Sequence, residues 1–390
     1  MKEASMQAAG SEASSHARED PTHVVIAGGG VAALEAVLAL RQLAGERVSI
    51  TLIAADHEFI YRPMIVREPF SGPLARRYQL DGIAADLDLD LRIDRVDAID
   101  VGERKVQLHM GGSVGYDALL VAVGAIAKPS FPHALNIDYR LIDDELHGLL
   151  QDIEDGLTKS VAFLAPQAEA WHLPLYELAL MTAERAYEMD VQTEITIVTP
   201  EHAPLAVFGT VASNAVKEAL DRRHVVTLTQ STPRVSADAR LFVDPDGREL
   251  QVDRLVALPQ LFGPGLPGLP ADERGFIPID KHGRVRDVSG VFAAGDATDF
   301  PIKQGGVSAQ EAVAAAETIA ALAGIDLDPR PFRPVMHALM LGPKPPLYLR
   351  SQLVDGVPTA SEASTDPLWF PPSKIDSQYL SPYLVDLDFR

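Results

Sequence analysis

The sequence contains no cysteine. That absence excludes a disulfide framework, thiolate metal sites and any dithiol redox centre, so it limits mechanism more than compartment. Positive charge is also scarce: 34 lysines and arginines stand against 55 aspartates and glutamates, a net charge of −21. Nucleic acid and anionic membrane surfaces would repel such a chain, whereas a basic protein partner would suit it. No apolar run approaches the length of a membrane span, so no transmembrane segment is expected. Residues 1–20 are rich in Ala, Ser, Glu and Gln and lack the apolar core of a signal peptide. They read as a disordered tail, and the protein as cytoplasmic. No His/carboxylate metal spacing and no Ser/His/Asp arrangement stands out, so no metal is expected.

What is present is an ordinary globular composition. The 390 residues, 47% hydrophobic and 23% charged, suffice for two or three domains with full cores. The apolar run His23-Val24-Val25-Ile26-Ala27 suits a strand buried on both faces of a parallel sheet. It leads into Gly28-Gly29-Gly30 and then a stretch in which Leu34, Val37 and Leu38 share one helical face, with Gly45 as a stop. In this strand–turn–helix context Gly28 allows a tight turn, Gly30 admits a pyrophosphate to the backbone, and Ala33 keeps helix and strand close. The phosphates of a dinucleotide would meet the free N–H groups at the helix N-terminus. A merely structural turn is the competing reading. The usual ribose-binding carboxylate is missing, because the second strand, 48–54, ends at Ala54 and Ala55. Asp56 is the substitute.

Further along, residues 57–64 form an aromatic and Arg-Pro loop, and residues 68–73 are too proline-rich for a regular element. Residues 96–101 and 105–109 read as strands with a turn at Gly111-Gly112, and 116–124 as a buried strand ending in Gly124. Residues 128–132 suit a linker. The plan then repeats: strand 161–164, helix 175–189, strand 194–199, helix 211–222, strand 224–228, a turn at 244–247 and strand 253–259. Ala165 and Asp253 are separated by almost the same stretch as Gly28 and Asp117, which points to one architecture used twice. A linker at 263–270 precedes a strand that ends in Gly295-Asp296 and an Ala-rich helix over 307–323. The proline-containing tail beyond 330 reads as an ordered third region packed on the others.

The turn Gly28–Ala33, the strand 116–124 and the late Val291-Phe292-Ala293-Ala294-Gly295-Asp296-Ala297 together resemble the two-dinucleotide-domain flavoproteins. That superfamily includes type II NADH dehydrogenases, ferredoxin reductases and sulfide:quinone oxidoreductases, and the likeness runs over about 22–323. The resemblance implies an α/β fold of two Rossmann-like domains, the second inserted in the first. An FAD-binding domain would comprise 21–127 and 271–330, a nucleotide-binding-like domain 128–270, and a packing or interface region 331–390. It implies FAD as cofactor, held by Gly28, Gly30, Ala33, Asp56 and Gly124. Gly295 and Asp296 would close the site on the ribityl or phosphate region, unless Asp296 merely caps a turn. The segments with Arg62 and with Lys303-Gln304 would lie beside the isoalloxazine; a packed Tyr61 ring, a surface Arg62 and a solvated Lys303 are the plain alternatives.

The sequence departs from this pattern in two places. The turn where the second domain should bind NAD(P)H, 165–174, contains no glycine. Its Cβ atoms, prolines and Glu169 all oppose a pyrophosphate. Sulfide:quinone oxidoreductases similarly lack a standard turn there, but they depend on cysteines that this chain does not have. Trp171, His172 and Pro174 are candidates to line a donor pocket. Lys303, His172 and Glu177 are the candidate catalytic residues, set against a structural histidine and a helix-face carboxylate. The expected function is an FAD-dependent oxidoreductase passing electrons between an unidentified donor and a quinone or protein acceptor. The alternatives are a non-catalytic FAD-bound sensor or scaffold, and an NAD(P)H dehydrogenase with an altered nucleotide site. The expected partners are a small molecule or quinone and a basic protein, not nucleic acid. A homo-oligomer is compatible with all of this.

Overall fold

A computed structural model describes residues 20–70, 72–137, 142–167 and 171–389. The tail expected over 1–20 and the Glu169 of the glycine-free turn thus lie, all but Asp20, outside the described residues. The helices are α1 (Val31–Ala44), α2 (Leu80–Asp86), α3 (Ile142–Glu154), α4 (Leu173–Glu188), α5 (Gly209–Arg222), α6 (Gly305–Leu322) and α7 (Leu380–Phe389). Among the described residues none of them is long and apolar enough to cross a membrane.

The strand Thr22–Ala27 is central because both of its faces are apolar, and Val24 through Ala27 are fully buried. It pairs in parallel with Val48–Ala54 on one side and Ala118–Val121 on the other. Asp90–Ile93 and Val291–Ala293 complete a five-stranded parallel sheet. A second parallel sheet has the order Leu135–Asn136, Arg254–Ala257, Ser160–Leu164, Glu194–Val198, Val226–Leu228. Each sheet is accompanied by three antiparallel strands: Val96–Asp100, Lys105–Leu108 and Ser113–Gly115 in the first, Thr232–Val235, Leu241–Asp244 and Arg248–Leu250 in the second. The protein therefore has an α/β fold of two Rossmann-like units, as the repeated spacing predicts. The chain of the second sheet runs wholly between the fourth and last strands of the first.

Three segments differ from their sequence reading. Residues 126–128 are a strand, Ile126–Lys128, paired antiparallel with Gln260–Phe262, because the two crossings of the chain run side by side. Residues 263–270 are docked rather than free: the Ile99 N–H donates to the Pro267 carbonyl. The proline-rich stretch read as irregular begins inside a 3-10 helix, Arg62–Phe70, which has Pro63 in its first turn, where the missing N–H lacks a partner anyway, and Pro69 one residue from its end. The spacing also gave no sign of α2 and α3. The third region is an antiparallel sheet, Val335–Met340, Leu347–Val354 and Val357–Ser364, followed by α7. α1 is buried on nearly all sides, by the sheet, by α6 and by α7, which explains why its apolar residues are not confined to one stripe.

Candidate functional site

The glycine turn sits at the C-terminal end of the central strand, where open α/β sheets hold their ligands. Gly28 has φ of +134°, and a Cβ there would lie 2.2 Å from the Ala122 carbonyl oxygen, so only glycine fits. A Cβ on Gly30 would meet nothing within 4 Å, and Gly30 is exposed. No side chain caps α1 at Gly30, and its first turn carries no acidic residue. The N–H groups at this helix end face open space with the positive end of the dipole behind them, the arrangement a pyrophosphate requires. Ala33 is fully buried between helix and strand. Gly29 packs on Ala54, its added Cβ falling 2.9 Å from the Ala54 Cβ, so the usual carboxylate position is filled by a methyl group. Asp56 stays exposed just beyond it, and Gly124, at φ of +79°, lies three residues past the end of the neighbouring strand with open space at its Cβ position.

The late Gly-Asp turn is brought against this one. Gly295 has φ of +80°, and a Cβ on it would fall 3.1 Å from the Ala32 Cβ of α1 and 3.3 Å from Ser308 of α6. Asp296, partly exposed, is thereby fixed between two helix N-termini, 3.4 Å from the Ser308 hydroxyl. Burial pushes its carboxyl up, opposed by the charges of Lys303 and Arg62, which puts both cations within its field. Lys303 is half-buried rather than solvated. Its ammonium donates to the Thr298 and Phe300 carbonyls at 2.5 and 2.6 Å and lies 4.0 Å from the centre of the Phe276 ring. Gln304 caps α6: its Oε1 accepts from the Val307 N–H at 2.8 Å and its Nε2 donates to the His337 carbonyl at 2.9 Å. Its amide is committed, which leaves the main chain for any ligand. Arg62 is exposed, and the Tyr61 hydroxyl accepts from the Ile375 N–H at 2.8 Å.

Among the described residues, the corresponding turn of the second sheet is filled by its own side chains. His172 is 2% exposed; its Nε2 is 2.8 Å from the Gln167 carbonyl oxygen and its Nδ1 is 3.2 Å from Glu201 Oε2. Both ring nitrogens face oxygen acceptors, so neither is free for a donor molecule. Glu201 follows the second strand of this unit, in the place a ribose-binding carboxylate would take. There it accepts from the Tyr176 hydroxyl at 2.8 Å and the Thr199 hydroxyl at 3.1 Å. Trp171 packs on Phe208, ring centres 5.9 Å apart, and Pro174 lies in the buried first turn of α4. Protein hydroxyls thus occupy the acceptor that a nucleotide would use, and the first turn of α4 is buried, although like α1 it carries no side-chain cap and no acid.

Glu177 is not in an open cleft. It is fully buried and bound to Lys374 at 2.5 and 2.6 Å, and it accepts from the Leu341 N–H at 2.7 Å. Burial pushes Glu177 up and Lys374 down, each opposed by the other's charge. The pair ties α4 to the C-terminal region. Sequence reasoning missed Lys374, Glu311, Glu201 and Glu35, although carboxylates inside otherwise apolar helices, one in α1 at Glu35 and two in α6 at Glu311 and Glu317, were a visible signal. Two clefts of about 600 and 490 Å³ lie elsewhere, one beside Asn136, Asp152 and Arg254, the other beside His23, Asp90 and Gly112. Neither includes the glycine turn. The chemistry of the strand ends, not cavity size, marks the site.

A family model described as pyridine nucleotide-disulphide oxidoreductase matches residues 22–157 and 176–316, and its break, 158–175, contains the sealed turn. The fold is similar to that of the sulfide:quinone oxidoreductase from the hyperthermophilic bacterium Aquifex aeolicus, at 17% identity over 88% of this chain and 87% of that one, with a TM-score of 0.78. It is also similar to the ferredoxin reductase for the CYP199A2 system from Rhodopseudomonas palustris (19% identity, 85% and 82% coverage, TM-score 0.64). A third likeness is to the covalent putidaredoxin reductase–putidaredoxin complex (18% identity, 86% and 82% coverage, TM-score 0.62). At these identities the structural likeness speaks for the fold alone.

Proposed function

Because the chain belongs to the pyridine nucleotide-disulphide oxidoreductase family, we propose that it is an FAD-dependent oxidoreductase that works without a redox disulfide. Electrons pass between a small donor other than NAD(P)H and a quinone or protein acceptor. The observation that carries the reading is the contrast between two equivalent turns: the one at Gly28–Gly30 is open and joined to Gly295-Asp296, and the one at Trp171–Pro174 is filled. The residues present fit FAD, since Gly30 leaves room at its Cβ position and α1 lacks both cap and acid.

In this reading the first N–H groups of α1 would hold the pyrophosphate, and Asp296 would contact the ribityl or phosphate region, accepting hydrogen bonds from the ribityl hydroxyls. Lys303 sets the charge of the Asp296 turn from behind, and Arg62 acts on it from the opposite loop. FAD, when bound, supplies the two-electron chemistry, and the protein orients it and tunes its electronics. Without cysteine no thiol relays electrons, so the donor must reach the cofactor directly. The quinone and protein acceptors are suggested by what the similar structures are named for, and the net charge of −21 favours a basic protein among the latter. Anaerobic mixing with a panel of small reductants tests the proposal: the flavin absorbance should bleach with at least one of them. A colourless protein that takes up no added FAD would overturn it. The sealed second turn also favours a second reading, a flavin-bound protein that senses or scaffolds without turnover. Flavin that no donor reduces at a useful rate would point there.

A further inference from the structure

α6 buries an acid in its second turn. Glu311 is 1% exposed; its Oε2 accepts from the Gly295 N–H at 2.7 Å, and both oxygens lie 3.2 Å from Thr298 Oγ1. Two other buried glutamates are paired with cations, Glu177 with Lys374 and Glu317 with Arg330, whereas Glu35 is held by three backbone N–H groups. Among the described residues no cation touches Glu311. Lys303 acts on it only at a distance, since its ammonium is turned to two carbonyls, and the same lysine also serves Asp296. Asp296 is partly exposed and has Arg62 as well as Lys303 in its field, whereas Glu311 is buried with the shared Lys303 acting on it from a distance. Of the two carboxyl groups Glu311 is therefore the costlier to ionise. The geometry offers the proton a place. Thr298 Oγ1 can donate its own hydrogen to the Gly295 carbonyl, 3.0 Å away, and accept one from Glu311.

We propose that Glu311 is a positioning residue that works as a neutral acid: its proton, held against Thr298, keeps the Gly295–Ala297 turn and with it Asp296 in place, and loss of that proton loosens the turn. The proposal rests on the FAD reading only in making that turn part of the cofactor site. The charges that face Glu311 are Asp296 from the turn and Lys303 from the loop before α6; Ser308 faces the turn from α6 itself and Ala32 from α1. Burial pushes the Glu311 carboxyl up to about 8. A folded value raised above the unfolded one means that the folded chain holds the extra proton. The stabilising contribution is full at acid pH, declines as pH rises and is lost on passing about 8.

The test uses the full chain as purified. FAD release on dilution, read by flavin fluorescence, is measured across pH for the wild type and for Glu311→Gln. Infrared difference spectra of the same two proteins look for a protonated carboxyl group. The wild type should lose about tenfold in FAD affinity between roughly pH 7 and 9, the linkage of one proton centred near 8. Glu311→Gln, a neutral isostere, should keep the neutral-pH affinity with no fall and lack the protonated-carboxyl band. If Glu311→Gln does not fold, Thr298→Val serves instead: removing the acceptor should move the fall to lower pH. An infrared spectrum without that band, or a fall unchanged by either variant, would overturn the proposal. A wild type that binds no FAD at any pH overturns the cofactor reading instead, and the infrared band still decides whether Glu311 is a neutral acid.

Discussion

Gly28 and Gly30 do different work at one turn, and substitutions should separate them. A Cβ on Gly28 strikes backbone at 2.2 Å, so Gly28→Ala should destabilise the fold itself, by about 2–3 kcal/mol or more. A Cβ on Gly30 meets nothing, so Gly30→Glu should fold normally yet lose FAD, because the new carboxylate projects where the pyrophosphate would lie. Thermal unfolding with and without added FAD distinguishes the two effects. A Gly30→Glu protein that still purifies yellow would remove the turn from the cofactor site. A second residue-scale prediction concerns Glu177 and Lys374. Glu177→Ala leaves a fully buried ammonium without its partner and should cost about 3–5 kcal/mol in urea unfolding. The double substitution Glu177→Met with Lys374→Met should recover much of that loss, since apolar side chains suit the same space. A single variant within about 1 kcal/mol of wild type would show that water reaches the pair.

At the scale of elements, α7 is held by α1 as well as by its own Ser377, whose hydroxyl accepts from the Ser381 N–H at 2.8 Å. The Gln378, Tyr379 and Leu380 N–H groups all donate to the Glu35 carboxylate, at 2.9, 3.0 and 2.6 Å, so a residue more than 300 positions away caps the helix. Burial pushes Glu35 up to about 7 against those three bonds. A raised folded value means that stability is greatest below the unfolded value of about 4.5 and falls as pH rises toward 7. The total is roughly 3.5 kcal/mol at about 1.4 kcal/mol per unit. Glu35→Gln should be less stable at every pH because its amide cannot accept all three bonds. Its unfolding midpoint should nevertheless lack the decline between about pH 4.5 and 7. Amide exchange in α7 reads the same event locally, and an unchanged pH profile in Glu35→Gln would assign the decline to another group.

For the whole molecule the two sheets repeat one design, but only one end of it is open. NADH and NADPH should therefore bind poorly. Anaerobic stopped-flow mixing should show no fast, saturable flavin reduction at micromolar nucleotide, and neither nucleotide should raise the unfolding midpoint. Saturable reduction in that range would mean that His172, Glu201 and Tyr176 give way to the ligand. The three units are also tied together through buried charges. Lys374 reaches α4, Glu35 reaches the chain before α7, and Ile375 lies against Gly305, a built Cβ there falling 3.0 Å from its side chain. That bracing suits a scaffold which presents a cofactor to external donors and acceptors rather than one that closes around a nucleotide.

The local pattern was sufficient for the repeated strand–turn–helix units and for the glycine turn at the end of the central strand. Each depends on residues close in sequence: buried strands read as apolar runs, and a glycine turn is written in four consecutive positions. Short strands such as Leu135–Asn136, and helix α2, escaped notice because too few residues carry a period. The roles of the charged side chains were settled only by packing. Sequence offered Lys303 as a flavin contact or a solvated cation, and the fold turned its ammonium onto two carbonyls. It offered Glu177 as an acid or a helix-face carboxylate near the domain contact, and the fold gave it Lys374, 197 residues away. Hydrophobic burial is averaged over a whole face and survives in the order of residues. A buried charge is decided by the one partner that tertiary contact delivers, and no spacing along the chain records that partner.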